Sequence, residues 1–130
     1  MNRRTSFKTM ATAAIAAAGS SASAAGAGKG IQLHVDLNVD MKKEKQLLDA
    51  YAKTFAPAMK RQPGFTDTKL LKLNSVKKAP GPVGANYRLL VCFQTEEQRI
   101  AWVASEDHKN AWPLIEACLT GFAAVLYDIA

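Results

Sequence analysis

The most regular alternation of apolar and polar residues follows an alanine-rich N-terminal region. From Ile31 to Asp40 every odd position holds Ile, Leu or Val, and every even position holds a polar residue. This period of two predicts a β-strand with one apolar and one polar face. We expect the apolar face to pack against helices and the polar face to meet water or a partner.

The spacing of apolar residues then changes to three and four. Leu, Tyr, Phe and Met recur in this way between Met41 and Arg61, which predicts an amphipathic helix. Pro57 is expected to kink this helix or end its regular part early, because proline lacks an amide donor and clashes with the preceding turn. The segment Gln62-Pro63-Gly64-Phe65 indicates the turn that follows.

Two further strands are expected in the middle of the chain. The second runs from Phe65 to Asn74, and a loop rich in Lys, Pro and Gly follows from Ser75 to Ala85. Residues Asn86 to Gln94 form the third strand, whose almost continuous apolar run indicates a central strand buried on both faces.

The C-terminal third begins with a helix signal. Thr95 and Gln98 are spaced as in a capping box, and the helix they start is expected to break near Ser105, which can cap the next turn. Pro113 is expected in the first turn of a further helix that closes at Gly121. A last strand is predicted over residues 122–130.

The resulting order is strand, helix, strand, strand, helix, strand. This order predicts an α+β, ferredoxin-like βαββαβ fold with a four-stranded antiparallel sheet and helices on one face. The other face carries His34, Asp36 and Asn38 beside apolar residues. Burying that mixed face against a second copy is the simplest arrangement, so a homodimer is expected.

Residues 1–27 have the character of an export signal, which leaves residues 28–130 as one folded domain. Paired arginines, Arg3 and Arg4, precede a weakly apolar stretch of Ala, Gly and Ser that offers A-x-A cleavage points. The pattern resembles a twin-arginine signal, with a Sec signal as the alternative. Because the stretch lacks about 20 strongly apolar residues, no stable membrane span is predicted. The expected location is periplasmic or secreted.

Charge excludes one class of partner. The chain has 17 basic and 11 acidic residues, and three of the basic residues lie in the signal. The remaining 14 basic and 11 acidic residues give the domain a net charge near +3. Its lysines are scattered, so nucleic-acid binding is not expected.

The two cysteines, Cys92 and Cys118, lie in apolar surroundings. Either they are buried free thiols that act as small hydrophobes, or they pair as a disulfide in an oxidising compartment. No C-x-x-C motif and no cluster of His and Cys is present, so no metal site is predicted.

Three features together resemble the antibiotic-biosynthesis monooxygenase-like (ABM) family of dimeric α+β barrels. They are the passage Val39-Asp-Met-Lys-Lys-Glu, the turn Gln62-Pro63-Gly64-Phe65, and Trp102 followed by Ser105-Glu106-Asp107-His108. The resemblance covers residues 31–130. It implies a homodimeric barrel with a pocket between sheet and helices in each subunit. Many members are oxygenases that need no cofactor and act on electron-rich phenols or quinols.

On this resemblance, the site lies around Trp102 to Trp112. His108 is the candidate acid–base group, because imidazole titrates near neutrality, and it precedes Trp112 by one helical turn. The candidates for flat walls around a small aromatic substrate are Trp102, Trp112, Tyr51 and Phe55. Asn110 is the candidate for a second hydrogen-bonding group beside His108.

Structural interpretations of the same residues remain open. In one of them the two tryptophans are large side chains that anchor the core, and this interpretation fits Trp112 better than Trp102. The helix break also allows them to line different surfaces. His108 has the surroundings of a surface cap residue, and His34 those of a structural histidine at the dimer interface. A non-catalytic dimeric domain that binds a ligand or has a structural role is therefore the alternative function.

Haem degradation is a third and weaker interpretation. Family members that degrade haem resemble one another in an Asn on the first strand, a Trp and a His, and this chain has Asn38, Trp102 and His108 in that order. Asn38 lies too close to the end of the strand, and the interval from Trp to His is short. No cofactor is therefore predicted.

Overall fold

A computed structural model describes residues 29–130. The expected export signal lies outside these residues. Within these residues four strands form one antiparallel sheet, and their bounds are β1, Ile31–Val39; β2, Phe65–Lys72; β3, Tyr87–Phe93; and β4, Leu119–Asp128. The order of the strands across the sheet is β2-β3-β1-β4. The strand order and the helices on one face confirm the ferredoxin-like α+β fold.

The alternation in β1 determines which face of the sheet carries the core. Its odd residues Val35, Leu37 and Val39 are buried against the helices. The even residues lie on the outer face, where the side chain of Asp36 accepts hydrogen bonds from Arg88 on β3 (Oδ1 to Nε, 2.6 Å). As expected, β3 is a central strand, and most of its side chains are buried.

The first helical region is divided rather than continuous. It consists of a 3₁₀ turn (Met41–Lys43), α1 (Glu44–Ala50), a π-helical turn (Tyr51–Phe55) and α2 (Ala56–Lys60). The amide of Ala56 donates to the carbonyl of Tyr51, five residues earlier. This wider turn lies directly before Pro57, which stands in the first turn of α2. As expected, the regular α-helix ends early, before the π-helical turn, and the proline then begins a further helical segment.

The second helical region is broken at Ser105, as the sequence predicts. Helix α3 spans Glu96–Ala104, and α4 spans Glu106–Glu116. The hydroxyl of Ser105 donates to the carbonyl of Trp102 (2.7 Å) and accepts from the amide of His108 (3.2 Å). Both helix ends are thus satisfied by one side chain.

Two expectations for the chain after Ser105 are wrong. Pro113 lies inside α4 and not in the first turn of a later helix. Strand β4 begins at Leu119, so Gly121 belongs to the strand and does not close a helix. The cause is the immediate cap at Ser105, which starts α4 seven residues before Pro113.

The cysteines do not pair. Cys92 on β3 and Cys118 before β4 are both buried free thiols, and burial raises the pKa of each. They therefore act as small core residues. Among the helices of residues 29–130, none combines the length and apolar character needed to cross a membrane.

Candidate functional site

A cavity of about 200 Å³ lies between the inner face of the sheet and the helices. Side chains from β1, β3 and β4 form its floor, and α3, α4 and the π-helical turn form its walls. Most of the lining is apolar, and it includes four aromatic side chains. The lining residues are Leu33, Val35, Phe55, Leu89, Val91, Arg99, Trp102, Val103, His108, Trp112, Phe122 and Ala124.

The mouth of the cavity lies where its lining side chains reach the surface. Val103 on α3 is 43% exposed, and Phe122 on β4 is 47% exposed. Trp102, in contrast, is 2% exposed and lies deep in the cavity wall. A ligand would therefore enter between α3 and β4.

The break at Ser105 brings Trp102, His108 and Trp112 together. Trp102 lies in the last turn of α3, and His108 lies in the first turn of α4. Trp112 follows His108 by one turn, so the two side chains share a face of α4. Although the break allows the two indoles to line different surfaces, both line the same cavity.

The aromatic rings of the cavity are in mutual contact. The imidazole of His108 meets the indole of Trp102 edge to face at a centroid distance of 5.0 Å. Trp102 also meets Phe55 edge to face (5.6 Å), and Trp112 meets Phe122 in the same way (5.1 Å). Such edge-to-face contacts stabilise ring orientation, so the cavity presents fixed flat surfaces.

The expected difference between the tryptophans is reversed. Trp102 is the buried core anchor, whereas Trp112 is only partly buried beside the core. Trp112 therefore contributes more to the accessible wall of the cavity than to the interior of the protein.

His108 is the only histidine among the lining residues. Its imidazole has no hydrogen-bonding partner within residues 29–130, although its amide is held by Ser105. Burial among the rings lowers the pKa of His108 from its usual value of 6.5. The side chain is therefore neutral at pH 7 and offers one acceptor and one donor nitrogen.

Arg99 is the only lining residue that carries a permanent charge. Its guanidinium forms two hydrogen bonds with Glu96, from Nε to Oε1 (2.5 Å) and from Nη2 to Oε2 (2.9 Å). This pairing raises the pKa of Arg99 and lowers that of Glu96. The arginine is thus fixed on the wall one turn before Trp102.

Two residues assigned to the site from the sequence lie outside the cavity. The hydroxyl of Tyr51 is hydrogen-bonded to Thr68 Oγ1 on β2 (3.2 Å), and its ring stacks on Phe55. Asn110 is exposed on α4. Neither contributes to the lining, whereas Phe55, Trp102, His108 and Trp112 do.

Most other lining residues were foreseeable only as core. Leu33 and Val35 belong to the apolar face that the alternation in β1 predicts. Arg99 had one indirect signal, since it precedes Trp102 by three residues and so shares a helix face with it. No feature of the sequence indicates that Phe122 lines a cavity, because its position depends on the register of β4 in the sheet.

Asn38 lies apart from Trp102 and His108, the other two residues of the haem interpretation. Asn38 is exposed at the end of β1 and is not among the lining residues, whereas Trp102 and His108 both line the cavity. The side chain of Asn38 lies near Gly121 on β4. The three residues are therefore not arranged so that all of them could act on one bound haem.

No protein-family model and no curated protein matches the sequence. The fold matches solved structures. A candidate antibiotic biosynthesis monooxygenase from Nitrosomonas europaea is 14% identical with a TM-score of 0.63, covering 82% of this chain and 95% of that one. Another from Bordetella bronchiseptica is 16% identical with a TM-score of 0.62, covering 78% and 99%.

A third similar structure is a dimeric ferredoxin-like protein of unknown function from Thermobifida fusca. It is 19% identical, with a TM-score of 0.58 and coverage of 78% of this chain and 92% of that chain. At these identities the likeness establishes the fold and leaves the chemistry to be argued from the cavity.

Proposed function

We propose that this protein is an exported, ABM-like monooxygenase that needs no cofactor and acts on a small aromatic or quinol compound. The observation that carries the proposal is the neutral imidazole of His108 inside a cavity with aromatic walls. The fold shared with candidate monooxygenases agrees with it.

The size of the cavity limits the substrate. An apolar cavity of about 150 Å³ accepts benzene. A cavity of about 200 Å³ therefore suits one ring or two fused rings that stack on Trp112 and meet the edge of Trp102. Larger polycyclic substrates would extend through the mouth beside Phe122.

The chemistry begins with a proton transfer. An unprotonated nitrogen of His108 accepts a proton from a phenolic hydroxyl, and the resulting phenolate donates one electron to oxygen. The substrate radical and superoxide then combine in a C–O bond, and the imidazolium of His108 returns its proton to the peroxide, which becomes a hydroperoxide on a carbon that still carries a hydrogen atom. Loss of water from the hydroperoxide leaves one oxygen atom on the oxidised substrate and releases the other as water, so the substrate supplies all the electrons. The apolar wall excludes bulk water during these steps.

Oxygen uptake with a panel of one- and two-ring quinols tests this function. His108→Gln keeps hydrogen-bonding capacity but does not accept a proton near neutrality, so the rate is expected to fall by about 10²-fold or more. Asn110→Ala is the matched control, because this exposed residue lies on the same helix outside the cavity. No uptake by the wild type, or an unchanged rate in His108→Gln, would contradict the proposal.

A second candidate function is binding without chemistry. No carboxylate lies close enough to His108 to shift its pKa, since burial alone accounts for the change. The usual orienting partner of a catalytic histidine is therefore missing within residues 29–130. Recovery of a bound aromatic compound unchanged after exposure to oxygen would favour this function over the first.

We also propose that the outer sheet face is the interface of a homodimer. No helix of residues 29–130 covers this face, and its side chains Val125, Tyr127 and Leu71 are 43–51% exposed. An apolar surface between charged pairs such as Asp36 and Arg88 is typical of a subunit contact. The dimeric neighbour from Thermobifida fusca agrees with this arrangement.

We further propose that the domain functions in the periplasm or outside the cell after twin-arginine export. The support is the sequence alone, with Arg3 and Arg4 before a weakly apolar stretch. Replacing both with lysine is expected to leave the protein in the cytoplasm when cell fractions are compared. Equal export of both forms would contradict this route.

A further inference from the structure

Arg99 places one positive charge on a cavity wall that is mostly apolar. Arg99 has a side chain that is 19% exposed, and it lines the same cavity as His108 and Trp112. Its partner Glu96 is 40% exposed and is not among the lining residues. The pair is therefore oriented with its cation toward the cavity and its anion toward solvent.

The ion pair does not use all donors of the arginine. A guanidinium has five N–H groups, and the contacts with Glu96 occupy one on Nε and one on Nη2. No other hydrogen bond of this side chain occurs within residues 29–130. The two donors of Nη1 and the second donor of Nη2 therefore have no partner within residues 29–130.

Ligand burial would make these donors important. A neutral hydrocarbon that fills the cavity removes water from them without replacing its hydrogen bonds, which is unfavourable. A carboxylate or phenolate satisfies them with charge-assisted hydrogen bonds, for which the planar guanidinium is well shaped. Glu96 holds the guanidinium in place, so little side-chain freedom is lost on binding.

We infer that the cavity selects aromatic ligands of one or two rings that carry an acidic group, and that Arg99 is the residue that determines this specificity. The inference rests on the cavity being the ligand site of the proposed function. To the proposed function it adds that the ligand is negatively charged. The ring of the ligand would lie against Trp112, and its acidic group would face Arg99.

Two probes with the same rings test the inference. Naphthalene-2-carboxylate and naphthalene-2-methanol differ in charge, and binding to the full chain at about pH 7.5 is followed by quenching of tryptophan fluorescence. Both tryptophans of the protein line the cavity, so the signal reports the site directly. Wild type is expected to bind the carboxylate about tenfold more tightly than the alcohol.

Substitutions on the ion pair separate a ligand role from a structural one. Arg99→Gln is expected to abolish the preference while it retains affinity for the alcohol. Arg99→Lys keeps the charge with fewer donors, so it should retain part of the preference. Glu96→Gln breaks the ion pair but leaves the charge of Arg99 beside the cavity, so a preference for the carboxylate should persist. If Arg99 acted only by stabilising the helix through this pair, Glu96→Gln and Arg99→Gln would lose the preference alike. The matched control is Lys109→Gln, which removes one charge from the exposed pair with Glu106 and should change nothing.

The outcomes distinguish this inference from the proposed function. Equal affinity of wild type for both probes, or a preference that survives in Arg99→Gln, would overturn the role of Arg99 alone. If neither probe binds, the cavity is not an aromatic site and both proposals fail. Oxygen uptake is not part of the measurement, so loss of catalysis by another cause does not affect the result.

Discussion

The imidazole of His108 and the indole of Trp112, one turn apart on α4, lie nearly parallel with their centroids 6.2 Å apart. The same imidazole meets the indole of Trp102 at nearly a right angle, with a centroid distance of 5.0 Å. The histidine is thus enclosed by two indoles that the sequence separates by ten residues. This enclosure, and not a charged neighbour, controls the protonation of the ring.

The enclosure predicts a pH dependence of stability. Because burial lowers the pKa of His108 in the folded state, the unfolded chain binds this proton at higher pH. The stabilising contribution of the neutral ring is present above the unfolded pKa, near 6.5, and is lost as the pH falls through the lower folded pKa. Stability should therefore decrease between pH 7.5 and pH 5, about the range of histidine titration.

Urea unfolding of wild type and His108→Gln at these two pH values measures the effect. The decrease on acidification should be smaller in the variant, because glutamine does not titrate. All other residues are the same in both proteins, so the difference between the two decreases reports His108. An equal decrease in both would show that His108 does not contribute.

The two tryptophans are expected to differ in what they stabilise. Trp102 is 2% exposed and packs on Phe55, so Trp102→Ala should reduce the free energy of unfolding by about 3–5 kcal/mol. Trp112 is only partly buried, and Trp112→Ala should cost less stability but weaken the binding of naphthalene-2-carboxylate. Denaturant unfolding and calorimetric ligand titration of both variants check this. Equal losses of stability would contradict the assignment of Trp112 to the cavity wall.

Gly64 is expected to be intolerant of a side chain. Its φ is +81°, which L-residues rarely adopt, and a Cβ at this position would collide with the side-chain amide of Gln98. That amide accepts a hydrogen bond from the backbone of Thr95 at the start of α3. Gly64→Ala should destabilise the fold by about 1–3 kcal/mol. Gly84→Ala is the control, since nothing lies within 4 Å of its Cβ position. Thermal unfolding of both variants decides the point.

The proposed dimer predicts a charge-sensitive interface. Val125 is 49% exposed and pairs in register with His34 on the outer face of the sheet. Val125→Asp should convert the dimer to a monomer in sedimentation velocity at micromolar concentration, because a buried unpaired charge is strongly unfavourable. Ile100→Asp alters an equally exposed residue on α3 and should leave the dimer intact. A monomeric wild type would contradict the proposal.

Local patterns were sufficient to predict the fold. The alternation from Ile31 to Asp40 identified both faces of β1, and Thr95 with Gln98 marked the start of α3 through a capping box that the structure contains. Ser105 was identified as the helix break in the same way. These features depend on residues only a few positions apart, so they can be read without knowledge of the tertiary structure.

The exact course of the helices and the residues that line the cavity could be determined only from the tertiary structure. Pro113 is accommodated inside α4, and the π-helical turn precedes Pro57; neither outcome follows from proline alone. Tyr51 has the right residue type for a ligand wall, yet its hydrogen bond to Thr68 turns it toward β2.

The sequence alone predicts a candidate site between Trp102 and Trp112. Only the fold brings Arg99 on α3 and Phe122 on β4 to the same cavity as this stretch, because α3 and β4 are distant in the chain. A periodic pattern specifies which face of an element is apolar, since that depends on short-range geometry. Which faces meet around an empty volume depends on contacts between residues distant in the chain, and only the tertiary structure specifies those.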